Sequence, residues 1–317
     1  MNVSVIVPFF EITAIQLKNV ICNVLEQSLQ EVELVLVCDN TLQNLEHDCA
    51  KVIKKMCKRH KNIEFVNLKA NYGTLEARRI GLECAKGDYI FFLDSDDALA
   101  SKDALKKLYE MAFLHKADIV EGKQVLSGNW EEWPEKNREN AQRCFKNYGN
   151  YNLYAQDEKL GLLPQVVKTS FTSLFLTGKL FKKYIILNAY NEIPNTYCVI
   201  LDDLVICHIC FSFAKSYITI SDDIYLYNIG SGISTSIENM SLEKWSCLCT
   251  SSAAFTILLW WAQEKQVDAF IKREFEKKAL NSLHELKKLL QTVKEEDKSE
   301  AEKILEQAWG KELTEQA

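Results

Sequence analysis

The sequence predicts an α/β fold in which a mostly parallel central sheet is flanked by helices and followed by a C-terminal helical extension. Short apolar runs alternate with amphipathic segments over residues 1–122, which is the pattern of βαβ units. One aromatic run, at residues 89–93, ends abruptly in a cluster of acids. From residue 242 onward the apolar residues follow a helical spacing. With 317 residues and 47% hydrophobic composition, the chain can bury a large core.

The first half shows the alternation most clearly. We predict strands at residues 3–7, 33–37, 63–66 and 89–93, and helices at residues 14–27, 45–60 and 75–86. Pro8 is expected to close the first strand, and Gly87 to cap the third helix. The run at 89–93 is short and aromatic, which favours a strand buried on both faces. Ligands bind at the carboxyl ends of such strands, so the acids that follow it are expected at a binding edge.

Beyond residue 100 the pattern is less regular. We predict helices at 102–115 and 171–186, and strands at 118–122, 217–220 and 224–227. Ser101 is the expected N-cap of the first of these helices. Residues 126–157 have little periodicity and carry Trp130, Trp133 and Tyr148, which is typical of a functional lid or a binding loop. Residues 230–232, Gly-Ser-Gly, predict a mobile loop.

Two pairs of acids are candidates for chemistry. Asp94 and Asp96 lie one residue apart where the chain leaves a strand, so they can share one hard divalent cation such as Mg²⁺ or Mn²⁺. The alternative is an ordinary acidic turn. Asp202 and Asp203 begin an apolar helix much later in the chain, where a fold can bring them across a cleft from the first pair. Acids are also favoured at a helix N-terminus for capping alone.

Composition excludes several classes of protein. A net charge of −6 and a pI near 5.6 argue against a nucleic-acid-binding protein. The 11 cysteines are scattered, and the pair Cys207 and Cys210 is weak evidence for zinc, so we interpret most thiols as buried apolar groups in a reducing compartment. The N-terminus lacks a signal-peptide pattern, and no apolar run reaches the ~20 residues of a membrane span. We therefore expect a cytoplasmic protein, or one peripheral at the inner face of the cell membrane.

Four motifs in the first hundred residues carry a family resemblance. In order, they read VIVP at 5–8, VCDNT at 37–41, ARRIGL at 77–82 and GDYIFFLDSDD at 87–97. Together they resemble the family 2 inverting glycosyltransferases of bacterial surface-glycan type, which have the Rossmann-like GT-A fold. The likeness continues more loosely through residues 179–181, 201–203 and 227–236. It implies a GT-A domain at 1–235, with a nucleotide-binding half at about 1–122 and an acceptor half at about 123–235. Residues 236–317 are then the C-terminal helical extension.

The resemblance also implies a role for each matching residue. Pro8 and Phe10 would line the uracil pocket of a UDP-sugar, Asp39 would bond the uracil imide, and Asn71 and Arg78 would hold the base and ribose. Asp94 and Ser95 would contact the nucleotide, and Asp94 with Asp96 would hold Mn²⁺ or Mg²⁺ at the diphosphate. Asp203 would be the catalytic base, with Asp202 beside it. The chain departs from the family pattern at Phe9-Phe10-Glu11, at Cys38 and at Arg79.

The implied function is metal-dependent transfer of galactose, N-acetylglucosamine, glucose or N-acetylgalactosamine from a UDP-sugar. The acceptor would be a saccharide hydroxyl in lipooligosaccharide, capsule or a lipid-linked glycan. A nucleotidyltransferase is the first alternative, although the Gly-rich basic loop of such enzymes is absent after the first strand. A non-catalytic sugar-nucleotide-binding protein is the second. His208 is either a third metal ligand or a packed side chain, and the C-terminal helices pack on the domain, form a homodimer or lie on a membrane.

Overall fold

The computed structural model describes residues 1–40, 45–128, 151–228 and 240–316. Within these residues, one mixed sheet contains nine strands. They are β1 (Val3–Phe9), β2 (Val32–Cys38), β3 (Ile63–Asn67), β4 (Tyr89–Phe92), β5 (Ala98–Leu99), β6 (Ile119–Ser127), β7 (Asn152–Tyr154), β8 (Lys179–Lys182) and β9 (Ser216–Asn228). Their order across the sheet is β3-β2-β1-β4-β8-β6-β9-β5, and β7 also pairs with β9.

Twelve α-helices surround the sheet in the same described ranges. They are α1 (Ala14–Leu25), α2 (His47–Arg59), α3 (Thr74–Cys84), α4 (Ala104–His115), α5 (Leu163–Thr169), α6 (Lys183–Asn191), α7 (Asp202–Phe213), α8 (Leu242–Cys249), α9 (Ser251–Glu264), α10 (Ala269–Leu289), α11 (Lys298–Trp309) and α12 (Lys311–Gln316). The helices predicted in the first half are confirmed to within a few residues. Helix α4 begins later than expected, because Asp103 rather than Ser101 occupies the N-cap position.

The predicted βαβ units form the parallel half of the sheet. Strands β3, β2, β1 and β4 are parallel neighbours, with Val3 beside Val32 and Tyr89. Successive residues point to opposite faces, so Val5 and Val7 pack with α1, α2 and α4, whereas Ile6 packs toward α3 and α7. Burial on both faces explains why these strands read as continuous apolar runs.

The other half of the sheet departs from the prediction. Strand β8 runs antiparallel between β4 and β6, and β9 is parallel to β6. The predicted helix at 171–186 is wrong: its first part is a loop, and β8 and α6 replace the rest. Gly178 adopts φ +73, which ends any helical path there, and the next residues gain sheet hydrogen bonds on both sides. The two strands predicted at 217–220 and 224–227 are one strand, β9, which has an irregular register opposite β6.

Some predicted features lie outside the described residues. These are Thr41, Trp130, Trp133 and Tyr148, together with the loop at 230–232. Strand β6 extends to Ser127, further than predicted, and β7 lies within the region that was expected to be irregular.

The C-terminal helices are continuous with the main core. Trp261 and Phe275 are buried in the same cluster as α7, whereas Trp245 and Leu283 belong to a separate small cluster between α8, α10 and α11. The stretch Leu242–Glu264 is long and apolar enough to cross a membrane by length and composition, which the sequence reading did not anticipate. However, 56% of its apolar window is buried in the protein, and a core helix passes the same test.

Pro8 is tolerated inside β1 because of where β4 ends. Tyr89 and Leu93 donate their backbone N–H groups to the carbonyls of Asn2 and Ile6, so the even-numbered residues of β1 face β4. Pro8 is the next even-numbered residue, and β4 ends at Phe92, before it could pair there. The missing N–H therefore costs no sheet hydrogen bond, and β1 continues to Phe9 instead of closing at Pro8.

Gly87 allows the chain to enter β4 in register with β1. Helix α3 ends at Cys84 with Ala85 as its C-cap, so the predicted capping role of Gly87 is wrong. Gly87 instead lies against Ser4, and its N–H donates to the Ser4 hydroxyl at 2.8 Å. A Cβ atom at Gly87 would lie 2.5 Å from the Ser4 backbone nitrogen.

Replacing Gly87 with alanine should destabilise the protein, because backbone rather than a movable side chain blocks the new methyl group. We expect a loss of about 1–3 kcal/mol in the free energy of unfolding, measured by urea denaturation. The control is Glu83→Ala, an exposed site on α3, where the change should be within about 0.5 kcal/mol. Equal stability of the two variants would contradict this account of Gly87.

Candidate active site

The site is organised around the side chain of Arg78, which is 3% exposed. Its Nη1 group donates to Asp202 Oδ2 at 2.5 Å and to Asp203 Oδ1, and Nη2 donates to Asp94 Oδ1 at 2.8 Å. The three acids are 124, 125 and 16 residues away in the chain. Thus Arg78, on α3, joins the end of β4 to the start of α7, and the two predicted acid pairs belong to one site.

Asp202 and Asp203 occupy the first turn of α7. Leu201 immediately before them has φ +65, an unfavourable conformation for a bulky residue and one that often occurs at functional sites. Burial raises the pKa of Asp202 to about 7, although Arg78 opposes the rise. Burial also raises the pKa of Asp203, and both Arg78 and a hydrogen bond from the Leu176 backbone N–H oppose that rise. One guanidinium therefore faces three carboxylates, and the cluster keeps a tendency to accept positive charge.

The turn after β4 places its acids at the carboxyl edge of the sheet. Asp94, Ser95 and Asp96 are half-buried, and the N–H of Asp97 donates to the Asp94 carbonyl at 3.1 Å. Tyr225 Oη accepts a hydrogen bond from the Asp94 N–H at 3.2 Å. This turn keeps the carboxylates predicted to be functional at a surface that a ligand can reach.

Asp97 and Tyr225 are site residues that the sequence reading missed. The Tyr225 hydroxyl donates to Asp97 Oδ2 at 2.6 Å, and the backbone N–H of Asn228 donates to Oδ1 at 2.7 Å. Burial, together with the charges of Asp94 and Asp96, raises the pKa of Asp97 to about 8. A third acid in the Asp94–Asp97 run was a visible signal, whereas nothing in the sequence around Tyr225 indicated its contact.

Asp39 and Asn71 meet at the loop that starts α3. Asp39 accepts hydrogen bonds from the backbone N–H groups of Tyr72, at 2.7 Å, and Gly73, at 2.9 Å. Asn71 Oδ1 also accepts from the Gly73 N–H at 3.0 Å. Burial raises the pKa of Asp39 to about 6, although both backbone hydrogen bonds lower it. The carboxylate at the end of β2 therefore fixes the loop that leads to Arg78.

Phe10 follows the end of β1 beside this loop. The N–H of Asp39 donates to the Phe9 carbonyl at 2.7 Å, which keeps the ends of β1 and β2 together. Phe10 is 37% exposed, and Pro8 is buried. Tyr197, which the sequence reading did not single out, is 46% exposed and hydrogen-bonds to the Asn71 side chain. Exposed aromatic rings thus border the Asp39 end of the site.

Comparison with protein-family models decides the family. The model described as glycosyl transferase family 2 matches residues 4–174, more than half of the chain. The chain belongs to this family. Among curated proteins, this glycosyltransferase is 26% identical to Glycosyltransferase GlyG of Streptococcus pneumoniae, over 73% of this chain and 71% of GlyG. It is 35% identical to poly(ribitol-phosphate) beta-N-acetylglucosaminyltransferase TarP of Staphylococcus aureus, but over 42% of this chain and only 39% of TarP.

Solved structures show the GT-A fold. The glycosyltransferase aligns with residues 1–349 of S. aureus TarS at a TM-score of 0.59 and 15% identity, covering 99% of this chain and 90% of that one. It also aligns with the mannosyltransferase PcManGT of Pyrobaculum calidifontis, determined with GDP-Man and Mn²⁺, at a TM-score of 0.55 and 14% identity. That alignment covers 91% of this chain and 74% of PcManGT. The predicted fold class is confirmed, including the C-terminal helices.

His208 lies away from the acids of the glycosyltransferase. Its Nδ1 hydrogen-bonds to the Leu204 carbonyl at 2.6 Å, and its ring packs edge-on against Phe275 with 4.9 Å between centroids. The side chain is 1% exposed, and burial lowers its pKa to about 3, so the ring is neutral. These contacts fit the packed alternative for His208 rather than the metal-ligand one.

The acids at the edge of the sheet can be tested as a metal site by their donor chemistry. No group of three or more His, Cys, Asp or Glu arranged to hold a metal ion occurs in the described ranges. However, Mg²⁺ and Mn²⁺ in nucleotide sites are commonly bound by one or two carboxylates, with waters and phosphate oxygens completing the coordination. Asp94 and Asp96 on a half-buried turn supply such a pair, and the excess of carboxylates over guanidinium favours a cation. The residues fit a divalent ion that binds together with a diphosphate.

The raised pKa of Asp39 predicts a pH dependence of stability. Its pKa is 3.8 ordinarily and about 6 in the folded chain, so the folded state binds more protons between these values. The stability of the wild type relative to Asp39→Asn should therefore rise as the pH falls from 7 to 4, by about 2–3 kcal/mol. Urea unfolding of both proteins across this range measures the difference. Asp48→Asn, at an exposed carboxylate, should show no such rise, and parallel curves for wild type and Asp39→Asn would refute the prediction.

Proposed function

We propose that this glycosyltransferase is an inverting, metal-dependent enzyme that transfers a sugar from a UDP-sugar to a saccharide hydroxyl. The observation that carries the proposal is the convergence of Asp94 with Asp202 and Asp203 on one buried guanidinium. Inverting transfer needs a site for the departing diphosphate next to a carboxylate that accepts the proton of the acceptor hydroxyl. Arg78 holds one candidate for each task within a single cluster.

In this proposal the nucleotide binds along the ends of β1, β2 and α3. Phe10 and Pro8 line the uracil pocket, and Asp39 accepts the imide N–H with a carboxylate that the loop at 72–73 already orients. Asn71 assists on the same loop. Arg78 acts mainly by orienting the acids, because its Nη groups are occupied by carboxylates, which differs from the base-binding and ribose-binding role that the family resemblance implies.

The diphosphate lies at the turn after β4. Asp94 and Asp96 hold Mn²⁺ or Mg²⁺ there, with Ser95 beside the nucleotide. The metal, when bound, stabilises the negative charge that develops on the departing UDP. Tyr225 supports this arrangement, because it hydrogen-bonds to both the Asp94 backbone and the Asp97 carboxylate and so fixes the turn that carries the acids.

Asp203 is the general base. Its side chain is 21% exposed, whereas that of Asp202 is 5% exposed, so Asp203 is the acid that an acceptor can reach. The raised pKa of Asp203 increases its affinity for the proton that it removes from the acceptor hydroxyl. Asp202 keeps Arg78 in place and adds negative charge beside the base.

The donor and acceptor are proposed from the relatives. TarP is named as an N-acetylglucosaminyltransferase, and one TarS structure contains UDP-GlcNAc, so UDP-GlcNAc is the first donor to test, before UDP-galactose, UDP-glucose and UDP-GalNAc. The acceptor is a surface glycan or its lipid-linked precursor, and the enzyme works in the cytoplasm or at the inner face of the membrane. In the C-terminal helices, Trp260 and Phe270 are 48% and 41% exposed, which makes them candidate contacts for a membrane surface or a second copy.

Nucleotide binding should depend on both the metal and Asp96. UDP with Mn²⁺ should raise the melting temperature, because a ligand at about a hundredfold excess over its Kd adds about 2.7 kcal/mol of stability. EDTA, or the variant Asp96→Ala, should abolish the shift. GDP and CDP with Mn²⁺ serve as controls for the base. A shift that ignores the metal and Asp96 would show that these acids form an ordinary turn and would overturn the proposal.

Removing the base should separate catalysis from binding. We expect Asp203→Asn to lower kcat by about 10²–10⁴, because the proton of the acceptor then has no positioned acceptor. The affinity for UDP with Mn²⁺ should change much less, since Asn keeps the size of Asp203. UDP release from the active donor and a UDP titration measure the two effects. Retained turnover in Asp203→Asn would exclude Asp203 as the base.

A further inference from the structure

A second buried charge cluster lies behind the acids of the site. Glu121, on β6, and Lys179, the first residue of β8, form an ion pair at 2.9 Å, and both side chains are 0% exposed. Thr172 donates to Glu121 at 2.6 Å, Ser173 donates at 3.1 Å, and the Tyr217 hydroxyl also donates to it. Replacing a buried ion pair with apolar side chains is often neutral or stabilising, so stability alone does not account for these charges.

The ammonium group of Lys179 has three partners. Besides Glu121, it donates to Ser173 Oγ at 2.8 Å and to the Phe175 carbonyl at 2.8 Å. An ammonium group has three N–H donors, so the described contacts use all of them. Lys179 is therefore fixed in direction, and it fixes the loop between α5 and β8 in turn.

The contact with Phe175 leads directly to the active site. The Phe175 carbonyl and the Leu176 N–H belong to the same planar peptide group, so fixing one end fixes the direction of the other. The Leu176 N–H donates to the carboxylate of Asp203. A buried ammonium thus contacts one end of the peptide, and Asp203 contacts the opposite end. Such chains of hydrogen bonds polarise one another in a low-dielectric interior.

We propose that Lys179 and Glu121 are positioning residues for Asp203. Lys179 orients the peptide group 175–176, whose N–H holds the Asp203 carboxylate from the side opposite Arg78, and Glu121 keeps Lys179 in place. Arg78 alone leaves the carboxylate able to rotate about the contact at Oδ1, whereas two contacts fix the oxygen that accepts the proton. This inference rests on the proposed role of Asp203 as general base.

The chain contains a matched arrangement away from the site. Lys183 Nζ donates to the Ala85 carbonyl at 2.6 Å, and the N–H of the same peptide group, from Lys86, donates to Glu33 Oε2 at 2.8 Å. Glu33 bonds to Ser4 rather than to an acid of the site. Lys183→Met therefore removes the same kind of lysine–peptide–carboxylate contact without affecting Asp203.

The test compares the wild type with Lys179→Met/Glu121→Gln, Lys179→Arg and Lys183→Met. The double variant removes both charges together, so it leaves no unpaired buried ion, and Lys179→Arg keeps the positive charge if the double variant fails to fold. Residue-resolved hydrogen exchange measures protection of the Leu176 and Lys86 amides. The kcat and KM for UDP release are measured with UDP-GlcNAc, or with the UDP-sugar that proves to be the donor.

In the double variant we expect the Leu176 amide to exchange faster and kcat to fall by about tenfold or more, the scale of one charge-assisted hydrogen bond. The KM for the donor should stay within about twofold, because the nucleotide contacts are elsewhere. Lys179→Arg should recover a substantial part of kcat. Lys183→Met should speed exchange at Lys86 only and leave kcat unchanged.

Three results would overturn the inference. The first is unchanged protection of Leu176 in the double variant. The second is faster exchange at Leu176 with an unchanged kcat. The third is a rise in KM that accounts for the whole loss of activity. Failure of the proposed function is recognised separately, because the wild type itself would then release no UDP from any donor.

Discussion

The buried guanidinium of Arg78 is the interaction on which the rest of the site depends. Its fork reaches carboxylates from two other parts of the chain, at the end of β4 and at the start of α7. In a low-dielectric interior a pairing of this kind is strong, and leaving any member unpaired is costly. The positions of α3, β4 and α7 are therefore coupled, and the acids of the site cannot shift independently of one another.

The sheet provides the rigid frame for that coupling. The parallel half brings β1, β2 and β4 to one edge, where Asp39 and Asp94 leave the strands. Strand β8 then joins the parallel half to β6 and β9, and its first residue, Lys179, begins the network that leads to Asp203. The strand that closes the sheet thus also connects the second half of the chain to the chemistry of the first.

The C-terminal helices support the same site. The hydroxyl of Thr250, between α8 and α9, accepts hydrogen bonds from the backbone N–H groups of Val199 and Ile200, at 3.1 and 3.2 Å. The neighbouring Cys198 carbonyl accepts from the N–H of Leu75 at the start of α3. One short segment therefore links the helical extension to the helix that carries Arg78, just before the chain enters α7. The extension packs as part of the glycosyltransferase core rather than as a detached appendage.

The sequence by itself determined the alternating strands and helices of the first half, because each has a local apolar period. It also indicated the acids at strand and helix ends, since Asp39, Asp94 and Asp203 fall where short motifs place them. Tertiary structure decided what those motifs could not contain. Residues 179–182 became a strand because β4 and β6 supply hydrogen bonds on both sides. The partners of Arg78, Asp97 and Lys179 were likewise set by the fold, because contacts between distant residues leave no periodic signal in the chain.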